Sequence, residues 1–491
     1  MTTPTTDNSR VAAIDLGATS GRVVAFHLDD GQIAAELVTR FPNGPTALND
    51  RLVWDIPELY RSAMEGVGRT HAETPLASVG IDSWAIDYGV TDEAGELIGE
   101  VYAYRDAQHE KGFAVVDEHV SWPAQYAIAG IQRLPFNTIY QLAAEQGSPR
   151  LLEGSHMLLV PDLIAMWLTG KAATELTNAS HTAMVDATTQ QWSSTLVSAC
   201  GVRPTMLSAI ERPGTVRGLI RTDQARDVPL ITVGSHDTAS SFAAVPLEPG
   251  RTAAIVSLGT WALVGTHIDT PILTDEAREA NFTNEIAVDG TIRFLRNVTG
   301  MWILEELRRE LSSIQGRDVT IPEMLAEAQG APAFRTLINP DDALFAPPGP
   351  MIGRIQGACS GPSPENIGEL TRCVLESMVA RIVDRIALCA DIVEKRFDVV
   401  HVVGGGAHNA FIVQWLADAL GLPVVAGPAE ATAYGNALVQ WMSLGVIADH
   451  TEGRRLIRNL PEVHVVEPSD RRDGWSDFIA RQRQWAQTDR T

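Results

Sequence analysis

The chain has three lysines in 491 residues, Lys111, Lys171 and Lys395. Chemistry that rests on a lysine therefore has few candidates. The one Gly-Lys pair, Gly170-Lys171, is followed by Ala172, so the Walker A pattern GxxxxGK[ST] is absent. The V-A-I-K, H-R-D and D-F-G signatures of protein kinases are missing as well. Positive charge is scarce overall: Lys and Arg number 38 against 61 Asp and Glu, a formal charge of -23. That balance argues against nucleic acid or an anionic membrane as a partner, since both need clustered positive charge. Cysteine is sparse too. Cys200, Cys359, Cys373 and Cys389 form no CxxC pair, which removes the usual zinc patterns, and reduced thiols are expected although Cys359 and Cys373 are close enough in sequence to pair. No apolar run reaches the roughly 18–20 residues needed to span a bilayer. The opening "MTTPTTDNSR" has no apolar core of a secretory leader and reads as a frayed end, so a cytoplasmic protein is expected.

Hydrophobic residues make up 45% of the chain, enough for more than one core, and the length suggests two to four domains. "RVAAIDLGATSGRVVAFHLDDGQI" reads as a β-hairpin with a Gly/Ser/Thr tip. Residues 54 to 71 and 364 to 395 carry helical periodicity. "FDVVHVVGGGAHNAFIVQWLADALGLPVVAG" reads as strand, Gly loop, helix and strand. Pro246, Pro249 and Gly250 mark a boundary, and just beyond them "AIVSLGTWA" echoes "AAIDLGATS", aligning Ser257-Leu258-Gly259 with Asp15-Leu16-Gly17. Two α/β domains with a cleft between them are expected, and clefts are where ligands usually sit.

The motifs carry competing readings. The tip "DLGATSGR" offers backbone N–H groups and hydroxyls that can nest a phosphate, and Asp15 could hold a hydrated Mg²⁺; an ordinary hairpin turn fits the same residues. The second copy favours a pair of phosphate-facing turns. "VVGGGAHN" does not meet G-x-G-x-x-G, so a Gly loop packed on adenine or ribose suits it better than a dinucleotide fingerprint. "VGIDSWAIDYG" places Asp82, Trp84 and Asp87 on a strand and its exit, a polar–aromatic mixture suited to a polyol. "WLTGKAATELTNAS" reads as a surface helix end and loop.

"PLITVGSHDTASSFAAV" is the sharpest case. Phosphoryl transfer to a hydroxyl needs positioning, charge stabilisation and a base to take the proton. Asp237, opening a helix after a strand, can be that base or the helix N-cap. The roles are compatible, because a helix N-terminus favours an ionised carboxylate.

These segments, with "YAYRDA", "GIQRLPFNTIYQL", "RNVTGMWILEEL", "INPDD" and "GPAEATAYGNAL", run in order from about residue 11 to 440 and together resemble the FGGY carbohydrate kinases, of the actin/hexokinase/Hsp70 ATPase superfamily. "LPFNT" and "SHDTAS" are similar to the branch of that family acting on L-rhamnulose. The resemblance implies two RNase H-like α/β domains, 1–247 and 248–450, with a central cleft and a peripheral tail, 451–491. It implies ATP- and Mg²⁺-dependent phosphorylation of the 1-hydroxyl of L-rhamnulose, with a small sugar and ATP as the only partners. By position Asp237 matches the proton acceptor, with His236, Thr238, Ala85 and Asn297 at the sugar. Ala18, Thr19, Ser20, Gly21 and Arg22 match the first phosphate turn, Thr260 the second, and Glu305 and Gly405 the nucleotide contacts. Two positions depart from the family's pattern: Ala85 replaces a Gly and Glu305 a Gln, which bears on the ketose accepted and on the nucleotide. Alternatives are a kinase for another ketose such as L-fuculose or L-xylulose, an actin/Hsp70-like protein that binds ATP without sugar chemistry, and, from the Gly loop alone, an NAD-dependent oxidoreductase.

Overall fold

The computed structural model describes residues 9–470 and 472–488; the expected frayed end falls largely on residues 1–8, outside them. In chain order the elements that position the site are β1 (Val11–Leu16), β2 (Ser20–Asp29), β3 (Gln32–Pro42), α1 (Ile56–Glu73), β4 (Ser78–Ser83), α2 (Leu176–His181), β5 (Val216–Leu219), β6 (Pro229–Ile231) and α3 (Asp237–Ala243). They continue with β7 (Ala253–Leu258), β8 (Trp261–Ile268), β9 (Ile292–Thr299), α4 (Trp302–Gln315), α5 (Ile367–Ile392), β10 (Val399–Val403), α6 (Ala410–Leu420), β11 (Val424–Ala426), α7 (Ala431–Ser443) and β12 (His464–Val466).

The chain divides into two compact units. The first holds the residues up to Pro246 together with His267–Phe294 and Ala431–Leu460; the second holds Leu247–Thr266, Leu295–Glu430 and the residues from Pro461 on. Two segments of the span expected as a C-terminal domain thus pack within the first unit.

In the first unit the strand order is β5-β6-β4-β1-β2-β3. β1 pairs antiparallel with β2 and parallel with β4, and β4 pairs parallel with β6. All six residues of β1 are buried, which is why "VAAIDL" reads as an almost unbroken apolar run rather than an alternating one. α1 covers the sheet through Ile56, Leu59, Ala63, Met64 and Val67; the Asp55 carboxylate caps it by accepting from the Glu58 N–H at 3.0 Å. α7 also belongs to this unit. Its Gly435 allows a close crossing with α3, because a Cβ there would lie 1.7 Å from the Ser240 carbonyl oxygen.

In the second unit the strands run β9-β8-β7-β10-β11-β12. β7–β8 is an antiparallel hairpin, β7–β10 and β10–β11 are parallel, and β11–β12 is antiparallel. This repeats the order and directions of β2-β1-β4-β6-β5, so the short sequence echo at Asp15 and Ser257 falls on equivalent hairpins. α5 is buried along most of its length, and α6 follows the Gly loop. The segment after 450, expected as a peripheral tail, contributes β12 to this sheet and buries Trp475 and Phe478.

All four cysteines are free thiols, as expected from the composition. Among the described residues no helix is long and apolar enough to cross a membrane.

Candidate active site

Register gathers the acidic residues of the first unit. Asp15 stands opposite Arg22 across the β1–β2 hairpin and beside Asp82 across the parallel β1–β4 pair. Residues paired in register share a face, so Arg22, Asp15 and Asp82 lie abreast at the ends of their strands. Arg22 donates from Nε and Nη2 to Asp15 Oδ2 at 2.9 and 2.6 Å. Asp82 is fully buried; its Oδ2 accepts from Asn436 Nδ2 at 2.6 Å, and its Oδ1 is buried without a hydrogen-bond partner. Burial pushes the Asp82 pKa well above the carboxylate range, and the negative charges of Asp15 and Asp237 add to the shift. Orphaned carboxylate oxygen and excess negative charge are what a hydrated divalent cation neutralises, so Asp15 and Asp82 fit Mg²⁺ with retained waters.

α7 holds this assembly. Gln440 donates to Asn436 Oδ1 at 2.7 Å and to the Ala12 carbonyl at 3.0 Å, and Ser78 Oγ donates back to Gln440 Oε1 at 2.7 Å. Gly80 leaves the room: a Cβ there would sit 2.4 Å from Asn436 Oδ1.

The "GSHDT" stretch continues alongside β4. The Ser83 N–H donates to the Ser235 carbonyl at 2.9 Å, and His236 bridges Ser83 in parallel. α3 begins at Asp237. The N-cap position falls on His236, whose φ/ψ of -81/120 is extended and whose side chain makes no cap bond. Asp237 is therefore the first helical residue, and its expected cap role is corrected. Its Oδ1 accepts instead from the next residue, from Thr238 N at 2.5 Å and Oγ1 at 3.1 Å. Burial pushes the Asp237 pKa up to about 6, and the charge of Asp15 reinforces the shift against the Thr238 bonds. The helix end alone thus does not set the ionisation, contrary to expectation.

The "TELTNAS" stretch is not on the surface: Glu175, Thr177 and Asn178 are all 0% exposed. Glu175 caps α2 by accepting from the N–H groups of Thr177 and Asn178, and its Oε2 also accepts from Ser235 N at 3.0 Å and Oγ at 2.8 Å. A buried carboxylate with this many donors staples α2 to the loop before Asp237. The sequence hides this because Glu175 and Ser235 are 60 positions apart.

Behind His236 lies a fully buried charged group. Arg293 Nη2 is 3.1 Å from Glu285 Oε2 and 3.3 Å from His236 Nδ1, and Glu285 Oε1 is 3.0 Å from His181 Nδ1. Burial works to raise the Glu285 pKa, and the charges of His181 and Arg293 overcome it and hold the carboxylate far below its usual range. Burial, with His181 and Arg293, keeps His236 well below the usual imidazole range and so neutral. His181, His236 and Glu285 have the donor types of a metal site. The Arg293 guanidinium stands against two of the three, which does not fit a cation.

Ala85 is buried, at the start of a tight turn in which the Asp87 N–H donates to the Ala85 carbonyl at 3.0 Å across Ile86, at φ 73°. Positive φ is costly for a β-branched residue. Asp87 holds the turn, accepting from Trp54 Nε1 at 2.6 Å, Trp84 Nε1 at 2.9 Å, Gln141 Nε2 at 2.9 Å and the Tyr104 N–H at 3.0 Å. Asp87 is therefore a buried brace, not the open polyol ligand that its place in the sequence suggests. At the hairpin tip, Ala18 and Ser20 are partly exposed and Thr19 is exposed. Asn43 braces the tip, donating from Nδ2 to the Gly17 carbonyl at 2.8 Å. Gly21 answers a packing need: a Cβ would lie 2.2 Å from the Phe41 ring.

The second unit assembles its own group. Thr260 is exposed at the tip between β7 and β8, and the Met301 N–H donates to the Gly259 carbonyl at 2.9 Å, tying the tip to the start of α4. The Gly loop packs on the same hairpin: a Cβ at Gly406 would lie 2.3 Å from Leu258 Cγ, whereas Gly405 faces open space. Glu305, on α4, pairs with Arg308 at 2.8 Å and Arg309 at 3.4 Å, which offsets the charge that a Gln would not carry. Asn297 is half-buried on β9.

Residues 11–243 match the N-terminal domain, and 254–444 the C-terminal domain, of the FGGY family of carbohydrate kinases. The chain is 37% identical over 478 residues to a rhamnulokinase of Yersinia pestis, covering 96% of both chains. It is 36% identical over 468 residues to one of Bacillus subtilis, covering 93% of this chain and 95% of the other. Among solved structures, gluconate kinase from Lactobacillus acidophilus superposes with a TM-score of 0.79 at 16% identity over 98% of both chains. Glycerol kinase from Plasmodium falciparum superposes with a TM-score of 0.76 at 13% identity, over 98% of this chain and 97% of the other. The α/β fold with two mixed sheets is thus the one seen in these sugar and polyol kinases, and the chain belongs to the FGGY family of carbohydrate kinases.

Proposed function

We propose that this chain is a rhamnulokinase, transferring the γ-phosphoryl group of ATP to the 1-hydroxyl of L-rhamnulose to give L-rhamnulose 1-phosphate and ADP. The near full-length identity to proteins of that activity supports the substrate. The observation that carries the chemistry is Asp237, a carboxylate poised near pKa 6 beside a second acidic pair.

Asp237 accepts the proton of the 1-hydroxyl. A base with a pKa near the working pH is ionised often enough to act and basic enough to help. By resemblance to the family, His236, Thr238 and Ala85 are assigned to the sugar, with Ala85 set by the turn at Ile86 and its positive φ; Asn297 is assigned to it by the same resemblance. Ala18 to Arg22 receive phosphate oxygens through hairpin N–H groups and hydroxyls, as does Thr260 at the equivalent tip. Gly405 gives the nucleotide an open backbone surface, with Glu305 nearby in sequence to α4's start and its charge already paired. Asp15 and Asp82 would hold a hydrated Mg²⁺, which would supply positive charge against the phosphoryl oxygens. Arg22 keeps Asp15 oriented. No lysine enters, which accords with their scarcity.

The test is ADP release by the purified protein with Mg·ATP and a panel of L-rhamnulose, L-fuculose, L-xylulose and their epimers. Turnover is expected to be highest on L-rhamnulose. Preference for another ketose would move the substrate assignment and leave the family intact; ATP hydrolysis indifferent to every sugar would remove the kinase reading.

A further inference from the structure

We propose that Arg293 and Glu285 are positioning residues: they fix the tautomer and ring orientation of His236 and, through its Nε2–H, aim the Asp237 carboxylate at the substrate hydroxyl. The proposal rests on Asp237 being the base of the reaction above.

The argument starts from donor chemistry. A guanidinium only donates, so at the 3.3 Å contact between Arg293 Nη2 and His236 Nδ1 the ring nitrogen accepts. The neutral ring then carries its proton on Nε2. That nitrogen is 3.4 Å from Asp237 Oδ1. Glu285 Oε2, at 3.6 Å from His236 Nδ1, is beyond hydrogen-bond reach and serves Arg293 instead, at 3.1 Å. The other Glu285 oxygen faces His181, whose ring centre lies 4.8 Å from that of His236. The row thus reads Glu285, Arg293, His236, Asp237, with His181 packed on the ring between.

At the far end two donors bond one oxygen and the His236 ring stands beside it. Thr238 N and Oγ1 donate to Asp237 Oδ1, and His236 Nε2 lies against the same oxygen at 3.4 Å, a longer contact than either of those bonds. The described hydrogen bonds leave Oδ2 for the substrate. In the transfer step the O–H bond of the 1-hydroxyl breaks and its proton passes to Asp237 Oδ2. The hydroxyl oxygen bonds to the γ-phosphorus as the bond to the β,γ-bridging oxygen breaks, and ADP leaves.

A fully buried Arg–Glu pair is a poor means of stabilising a protein, because desolvation offsets most of the attraction. Both side chains here are 0% exposed. Their effect is one that apolar residues cannot copy: a fixed donor at Nδ1, and hence a fixed donor at Nε2.

The experiment is a cycle built on two changes. The pair is made neutral as Glu285→Gln with Arg293→Met, and His236→Gln supplies an amide donor towards Asp237 that needs no tautomer choice. The cycle is run on whichever ketose the unaltered protein turns over best, so a wrong substrate and a failed coupling give separate results. In the His236 background the neutral pair is expected to lower kcat by about tenfold or more, with KM for the sugar and Kd for ATP within about threefold. In the His236→Gln background the same change should alter kcat by less than about twofold. An equal loss in both backgrounds, or unchanged kcat in a folded neutral-pair variant, overturns the proposal. If the neutral pair does not fold, as judged by near-ultraviolet circular dichroism, Arg293→Lys replaces it in the cycle. Lysine keeps the charge but has one nitrogen to serve both Glu285 and His236, and the same two outcomes decide.

Discussion

Asp82 stands directly beside Asp15 in the parallel register of β4 and β1, two carboxylates side by side with one arginine, Arg22, on the far strand. Burial is the first cause of the shift of Asp82 well above the usual carboxylate range, and the opposition of the like charge on Asp15 adds to it.

Asp82→Asn should relieve that opposition while keeping the Asn436 bond. The variant is expected to be at least as thermally stable as the original, with a higher Mg²⁺ concentration needed for half-maximal rate and kcat lower by about tenfold. Thermal melts and a Mg²⁺ titration of ADP release check it. An unchanged Mg²⁺ requirement would take Asp82 out of the cation site.

The pH profile follows from Asp237. The base works ionised, and burial followed by the Asp15 charge raise its pKa to about 6. kcat/KM should therefore be flat above about pH 7 and fall tenfold per pH unit below about 6. Asp15, Asp82 and Asp237 interact, so the limb belongs to the group as a whole. A limb near pH 4 would mean that the site leaves Asp237 unperturbed.

Gly435→Ala tests how α7 is seated on α3. The new methyl would meet the Ser240 carbonyl at 1.7 Å, and backbone cannot step aside as a side chain can. The expected loss is about 2–3 kcal/mol or more of stability, together with activity, since α7 carries Asn436 and α3 carries Asp237. Denaturant unfolding measures it; a loss within about 0.5 kcal/mol would contradict the close crossing.

Asp87 supplies a stability test. Burial raises its folded pKa to about 7 against its four donors, whereas in the unfolded chain it titrates near 4. A raised folded pKa means the folded state holds the proton more tightly. The contribution of Asp87 is thus fullest below about pH 4 and lost as pH rises through 7. Asp87→Asn should cost about 1–3 kcal/mol, because an amide N–H₂ would face Gln141 Nε2, another donor. The same variant should remove this group's share of the fall in stability between about pH 4 and 7. Unfolding curves across that range would show an unchanged slope if Asp87 were ionised throughout.

How much of this was open to a sequence reader depended on distance along the chain. The hairpins at Asp15 and Ser257, the helix over 367–392 and the Gly loop rest on local patterning and turn chemistry, and they stand where the periodicity puts them. Asp237 could be singled out for its place between an apolar strand and a run of small residues. Asn436 touching Asp82, Glu175 touching Ser235 and Arg293 touching His236 could not. Each is a buried polar contact between segments 354, 60 and 57 positions apart, fixed by packing rather than by any nearby pattern. "TELTNAS" misleads for the same reason: its polar residues look solvated until their buried partners are known. The Asp237 cap reading failed by one residue, the smallest error a helix boundary allows and enough to change what its carboxylate bonds.

The most direct measurement of the central claim is kcat for Asp237→Asn with L-rhamnulose and saturating Mg·ATP, alongside ATP binding to the same variant. The account predicts a fall in kcat of about 10²–10⁴-fold with ATP affinity nearly unchanged. Turnover within a few-fold of the unaltered protein would contradict it, and would leave Asp237 as no more than the first residue of a short helix.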